Sequence, residues 1–347
     1  MSNKKIFIVC PEIKTPTGGV KQLYKLGDIL RQNHYDVAIV HNRKKFKINW
    51  FSSNVNIVHF PFLFFKIQQR IRKPKKKYIF KDFFINIFIN KKLPPQDSII
   101  IYPEVYGSKI DQLLPNNYII YNQNCYYTFD KFTFLHQQLN NTYSNNKNLG
   151  IMCVSQDSYN YLQKAFPNKN LQRIKLGLNP LFSFCDKKEK VIAFMPRKLK
   201  EDLNQIYQIL VNNPQFKFWK WQSIDNCTED EVSEILKKSA IFLSCNYNEG
   251  FGLPPLEAMA CGCYVIGYAG NGGSEYFKPE FTDRIEDRNI YQFVSKLEEK
   301  VTFFNENPLS LIALGKKASE FVSTNYTLKE ETETTLKAVK NILDKST

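Results

Sequence analysis

Two carboxylates eight positions apart, Glu249 and Glu257, bracket the run Gly250-Phe251-Gly252-Leu253-Pro254-Pro255-Leu256, and Ala258-Met259-Ala260-Cys261-Gly262 follows. These residue types at this spacing suit a defined chemistry. An ionised carboxylate accepts hydrogen bonds from hydroxyl groups, each contributing about 1.5–3 kcal/mol, so the pair can grip a polyhydroxylated ligand at two points. Gly250 and Gly252 carry no side chain and let the backbone approach a ligand closely. Pro254 and Pro255 fit the first turn of a helix, where no amide hydrogen is required. That reading puts Glu257 in the first turn and Gly262 at the helix end. A glycine-lined loop running into a helix N-terminus is a natural seat for a diphosphate.

The elements around this stretch must hold it in place. Ile6 to Cys10 is a continuous apolar run, as expected of a strand buried on both faces of a parallel sheet. A loop ending in Gly18-Gly19 follows, then a helix over Val20 to Asn33 and a second strand over Asp36 to Val40. Further strands are expected at 56–59, 98–102, 118–121 and 150–154, with a helix over Ser155 to Phe166, capped by Ser155 or Asp157. A strand over Arg173 to Leu176 and the turn after it mark a junction. A second series then runs: strands at 191–195, 216–219, 240–244 and 264–267, and helices at 204–212, 228–238 and 256–261. Two successive β/α series predict an α/β chain of two doubly wound Rossmann-like domains facing each other across a cleft, with ligands beyond the carboxyl ends of the strands. The expected boundaries are 1–172, 173–325, and a C-terminal helical segment, 326–347, that crosses back to the first domain.

The stretch from Glu249 to Glu257 resembles the Glu-x7-Glu signature of glycosyltransferase family 4, and Gly270-Asn271-Gly272-Gly273-Ser274-Glu275 resembles the next glycine turn of that family. The resemblance implies a GT-B fold and transfer of a sugar from a nucleotide donor with retention of configuration. It implies that Glu249 contacts the donor sugar and Glu257 the ribose, and that the amides around Gly250, Phe251, Gly252 and Leu253 meet the sugar and diphosphate. Arg197, after the strand at 191–195, matches the diphosphate-binding arginine; its delocalised cation would stabilise a leaving UDP or GDP. The family places a lysine five residues later, where this chain has Asp202. Lys198 or Lys200 would then stand in, and an inward-facing Asp202 would repel a diphosphate. Gly18-Gly19 matches the first glycine loop. The family's mid-domain histidine is replaced within Tyr121-Asn122-Gln123-Asn124, which leaves Gln123 or Asn124 to bind the donor sugar. The chain has no Asp-x-Asp and its four histidines stand apart in sequence, so neither a cofactor nor an essential metal is expected. Same-face attack follows, with catalysis by orientation and leaving-group stabilisation.

Composition bounds the alternatives. The chain has 347 residues with 48 Lys+Arg against 33 Asp+Glu, a formal charge of +15, which points to anionic partners. Between Leu63 and Lys92 stand ten basic residues and the single acid Asp82, interleaved with aromatic rings. This is the composition of an element that rests on an anionic membrane surface. No Cys-x-x-Cys pair occurs, and Cys10 and Cys153 lie in apolar runs, as reduced core cysteines do. The expectation is a cytoplasmic enzyme, peripheral on the inner face of the membrane, that adds sugar to a glycan or lipid-linked glycan of a cell-surface polysaccharide. A GT-B sugar-nucleotide epimerase and a basic nucleic-acid-binding protein are the alternatives; the second lacks any RRM, KH or zinc-finger signature.

Overall fold

The computed structural model describes residues 4–71, 82, 85–107, 110–130, 141–197 and 199–345. The chain divides into two compact units. The first comprises residues 1–154, 158–174 and 332–347, and the second 155–157 and 175–331.

The first unit is built on a seven-stranded sheet: β1 (Ile6–Val9), β2 (Val37–His41), β3 (Asn56–His59), β4 (Ile99–Pro103), β5 (Tyr118–Asn122), β6 (Asn148–Cys153) and β7 (Leu171–Arg173), in the order β3-β2-β1-β4-β5-β6-β7. Every pairing is parallel. The apolar run at β1 is buried throughout, as a central strand covered on both faces must be. Its helices are α1 (Gly18–Gln32), α2 (Pro61–Ile71) and α3 (Gln156–Ala165). Chain order reverses between β1 and β4, so the loops after these two strands diverge and leave a crevice at the carboxyl edge of the sheet.

The second unit carries β8 (Glu189–Phe194), β9 (Lys220–Ser223), β10 (Ser239–Ser244), β11 (Tyr264–Gly267) and β12 (Thr282–Arg284), ordered β12-β11-β10-β8-β9 and again wholly parallel. Its helices are α4 (Lys200–Leu210), α5 (Glu229–Lys238), α6 (Leu253–Ala260), α7 (Ile290–Glu306) and α8 (Pro308–Asn325). Here the reversal lies between β8 and β10. A last helix, α9 (Leu328–Asp344), begins in the second unit and ends in the first. Within the first unit, Asn170 Nδ2 donates to the Asn341 carbonyl at 3.0 Å. Asn341 Nδ2 donates to Gln172 Oε1 at 3.1 Å.

Several element boundaries differ from the sequence reading. Gly18 and Gly19 open α1 instead of ending a loop, with Thr17 as N-cap. Helix α4 starts at Lys200, four residues early, because Leu199 takes a left-handed conformation (φ 49°) and turns the chain into the helix. The run Phe216 to Trp219 is no strand: a 3-10 turn at Pro214–Phe216 buries Phe216 and Trp219, and the strand is Lys220–Ser223. These rings are buried in a turn; Trp219 meets Phe304 edge-on at 5.2 Å. Helix α6 begins at Leu253, so Glu257 is its fifth residue and lies in the second turn.

The C-terminal end of α6 is held from four sides. Gly262 (φ +85°) and Cys263 donate back to Met259 and Ala258 at 2.9 Å each, the αL closure that glycine permits. Ser319 of α8 donates to the Ala260 carbonyl at 2.7 Å and Lys188 Nζ to the Cys261 carbonyl at 2.7 Å, satisfying carbonyls a helix end leaves open. Gly315 brings α8 so close that a Cβ there would lie 2.1 Å from the Gly262 carbonyl oxygen. Gly315→Ala must push the helices apart. Overpacking costs about 1–3 kcal/mol, so thermal unfolding should show Tm lower by roughly 2–10 °C. An unchanged Tm would refute this packing.

Candidate functional site

The site residues read from the sequence fall at the carboxyl ends of strands within each unit: Gly18 and Gly19 after β1, Gln123 and Asn124 after β5, Arg197 after β8, and Glu249 to Leu253 after β10. Glu249, Gly250, Phe251, Gly252 and Leu253 form one loop after β10, half-buried at Glu249 and buried at Gly250 and Phe251. Glu249 pairs its backbone with the second glycine turn: its N–H donates to the Gly270 carbonyl at 3.1 Å and its carbonyl accepts from Gly272 at 3.2 Å. The side-chain amide of Asn246 donates to the Glu249 carboxylate.

Glycine is required where the two turns meet backbone to backbone. A Cβ on Gly272 would stand 2.2 Å from the Gly250 carbonyl oxygen, and one on Gly270 (φ +66°) would stand 2.8 Å from Glu249 Cβ. Tyr276, buried just beyond the second turn, closes the arrangement. Its hydroxyl donates into the carbonyls of Phe251 and Gly252, at 2.9 and 2.6 Å. Gly252 (φ +84°) leaves room for that hydroxyl, which a Cβ would approach to 2.7 Å. Burial, together with the charges of Glu249, Glu275 and Glu257, holds the Tyr276 hydroxyl firmly protonated. It is therefore a fixed donor. Tyr276 was not singled out in the sequence; its spacing of 25 residues from Phe251 gives no local signal.

The carbonyls of Glu249, Phe251 and Gly252 are thus occupied, while the amides of Phe251, Gly252 and Leu253 donate to no acceptor among the described residues. Pro254 and Pro255 remove the next two amide hydrogens of α6. The donors at this helix start are consequently three successive loop amides, a geometry that receives an anion.

Arg197 sits exposed after β8, at the same edge of the same sheet, and Lys200 is the exposed first residue of α4. Lys198 lies outside the described residues. Asp202 does not face outward. It is 1% exposed, accepts from the Tyr268 hydroxyl at 2.9 Å and pairs with Arg288 at 3.5 Å. The acid in the place of a lysine is a core anchor between α4 and the loops after β11 and β12, directed away from the repulsive arrangement that the sequence left open.

In the first unit Gly18 and Gly19 are exposed at the start of α1, and Gln123 Nε2 donates to the Gly19 carbonyl at 3.1 Å. Asn124 is turned inward: its Oδ1 accepts from the Tyr126 N–H at 3.1 Å and caps a short 3-10 turn. Gln123, not Asn124, is therefore the residue that the structure brings to the glycines. The turn rests on Glu104, buried after β4, whose carboxylate accepts from the Gln123 N–H at 3.1 Å. Burial pushes this carboxyl up to about 7, against the lowering effect of backbone N–H bonds, that of Gln123 foremost. Glu104 was missed in the sequence because a lone acid after an apolar strand carries no pattern. Among the described residues no three His, Cys, Asp or Glu side chains come together as metal ligands.

Residues 220–322, which include the whole loop from Glu249 to Glu257, match the family model described as Glycosyl transferases group 1. The alpha-1,6-glucosyltransferase of Actinobacillus pleuropneumoniae serotype 7 (strain AP76) is 29% identical over 194 residues, 53% of this chain and 57% of that protein. The chain thus spans little more than half the length of that curated relative. Among solved structures, sucrose-phosphate synthase from Thermosynechococcus elongatus superposes with a TM-score of 0.67 over 99% of this chain and 100% of the other, at 12% identity. Anabaena HepE, solved in complex with UDP-glucose, gives 0.60 over 96% and 99%, at 10% identity. The fold is GT-B, two Rossmann-like α/β units, and the match to the group 1 model lies within the second unit.

Two outcomes test the site's construction. Tyr276→Phe removes the hydroxyl bridging the glycine loop and should lower stability by about 1–2 kcal/mol in denaturant unfolding; an unchanged midpoint would count against the bridge. For Glu104, the folded carboxyl titrates near 7 and the unfolded one near its ordinary 4.5. The folded state therefore holds the proton more tightly, and this contribution to stability is full below about 4.5 and lost as pH rises through about 7. Between pH 5 and 8 the Tm of the wild type should fall relative to that of Glu104→Gln; parallel curves would overturn the assignment.

Proposed function

We propose that this chain is a retaining glycosyltransferase that takes a sugar from a nucleoside-diphosphate donor, without an essential metal, and adds it to a glycan or lipid-linked glycan of a cell-surface polysaccharide. The observation that carries this reading is the loop of three open amides set between Glu249 and Glu257. It offers a diphosphate its donors, and it offers the sugar and the ribose one carboxylate each. The group 1 match over this same loop supports it, as does the glucosyl activity in the name of the A. pleuropneumoniae relative and the UDP-glucose in the HepE complex. UDP-glucose is accordingly the first donor to try.

Arg197 and the loop amides would carry the negative charge that accumulates on the departing diphosphate, with Lys200 as a second cation. Glu249 would orient the sugar, and Gln123 is a second candidate for binding it. In same-face transfer the acceptor hydroxyl attacks the anomeric carbon as the bond to the diphosphate breaks. The leaving oxygen takes the hydroxyl proton, so no base and no covalent enzyme intermediate are needed. The described part of the basic and aromatic stretch that would rest on the inner face of the membrane is helix α2 with residues 82 and 85–92; Phe64 and Phe65 of α2 are buried in the core, while Phe88 is exposed, and residues 72–81 and 83–84 lie outside the described residues. No helix among the described residues is long and apolar enough to cross a membrane.

Thermal shift with UDP-, GDP-, ADP- and dTDP-sugars in EDTA tests this reading. A donor at 100 times its Kd should stabilise by about 2.7 kcal/mol. One nucleotide class should shift the wild type, and Glu257→Ala should abolish that shift while leaving the ligand-free Tm close to wild type. No shift with any donor would sink the reading.

A further inference from the structure

The loop after β2 carries charge that the donor chemistry does not use. Four of the five residues from 43 to 47 are cations: Arg43, Lys44, Lys45 and Lys47. The loop leaves the sheet at its carboxyl edge, the edge at which Gly18, Gly19 and Gln123 stand. It is a built turn. The Phe46 N–H donates to the Arg43 carbonyl at 3.0 Å, closing a β-turn with Lys44 and Lys45 at its tip.

Both ends of that turn are pinned. The Glu12 carboxylate accepts from the backbone N–H of Arg43 and from its Nε, each at 2.6 Å. Phe46 is buried, with its ring 4.8 Å from that of His41. His41 is held by the Tyr24 hydroxyl at 2.6 Å. Glu12 is engaged by Arg43, yet Lys44, Lys45 and Lys47 are exposed and form no ion pair among the described residues. In the second unit, by contrast, Lys296 and Lys300 both pair with Glu299. Three lysines carried within four residues by a pinned turn concentrate like charge, which an anion bound there would relieve.

We propose that this turn receives the acceptor, and that the acceptor is a glycan bearing phosphate or phosphodiester groups. The inference rests on the glycosyltransferase reading for the word acceptor, but the anion site stands on its own geometry. The turn offers no exposed ring: Phe46 is buried, and Ile48 and Trp50 beyond it are half-buried. It therefore lacks the apolar wedge by which an element enters a bilayer and the stacking surface by which bases are held. Cations without a hydrophobic companion suit soluble phosphates along a chain.

Binding of poly(glycerol phosphate) and of inorganic polyphosphate, with dextran as neutral control, can be measured by calorimetry at about 50 and about 300 mM salt. The proteins are wild type, Lys44→Glu/Lys45→Glu/Lys47→Glu, and a charge-matched control, Lys217→Glu/Lys220→Glu/Lys238→Glu, on the second unit. Both phosphate polymers should bind wild type and control alike and the turn variant about tenfold more weakly, with the difference reduced at high salt and dextran silent throughout. Equal weakening in both variants would reduce the effect to net charge and overturn the proposal. So would a loss confined to phosphatidylglycerol vesicles, or to a single-stranded RNA, run in parallel. The donor thermal shift on the same samples separates the two readings. If it is absent from wild type while the polymers still bind at the turn, the glycosyltransferase reading fails and the anion site remains. If it persists in the turn variant while polymer binding falls, both stand.

Discussion

A loop of backbone has as many carbonyls as amides to satisfy, and the second unit meets that demand unevenly. The carbonyls of Glu249, Phe251 and Gly252 are taken up by Gly272 and the Tyr276 hydroxyl. The amides of Phe251, Gly252 and Leu253 are left open. This imbalance gives the loop a net positive face without using a single cation. Much else follows from preserving it. Gly270 and Gly272 are glycines because the second turn must approach the first backbone to backbone. Tyr276 is buried and kept protonated, so its O–H donor is retained. Pro254 and Pro255 end the series of donors sharply at the helix start.

The surrounding packing serves the same end. Helix α6 is short and is held at its C-terminal end by Ser319, Lys188 and the close passage of α8 at Gly315. Its N-terminal end, where the loop enters, is thereby fixed from below. The strand before the loop is buried along its whole length, and burying each such apolar side chain is worth about 1.5–3 kcal/mol. A site that binds through backbone amides needs this rigidity, because amides cannot adjust as side chains do.

The sequence made the Glu249 to Glu257 segment legible because its chemistry is written in contiguous residue types: two acids, two glycines, two prolines and a closing glycine. Most strands were readable for the same reason, since strands buried on both faces are unbroken apolar runs; the three-residue β12 was not. What could not be read depends on distant partners. Asp202 looked like an acid in the place of a cation; only Tyr268, 66 residues away, and Arg288 show it to be an internal anchor. Glu104 gained its role from a strand end that lies 19 residues further on. The strand expected over Phe216 to Trp219 failed because aromatic residues bury well from a turn, and periodicity cannot separate the two. Glu257 was displaced by one helical turn, since the prolines fix the first turn but not which residue begins it.

The first unit is not contiguous in the chain. Residues 332–347 belong to it, although 157 residues of the second unit, 175–331, intervene. Ile342 is fully buried, within 2.8 Å of where a Cβ on Gly150 would lie. As the polypeptide emerges from the ribosome, the second unit's core has all its strands and helices before the first unit has all of its own. The part translated first is the part finished last, and until α9 arrives the surface around Gly150 stays uncovered. No single cut separates one whole unit from the other, and a chain shortened by its final helix would lack part of the fold with which it begins.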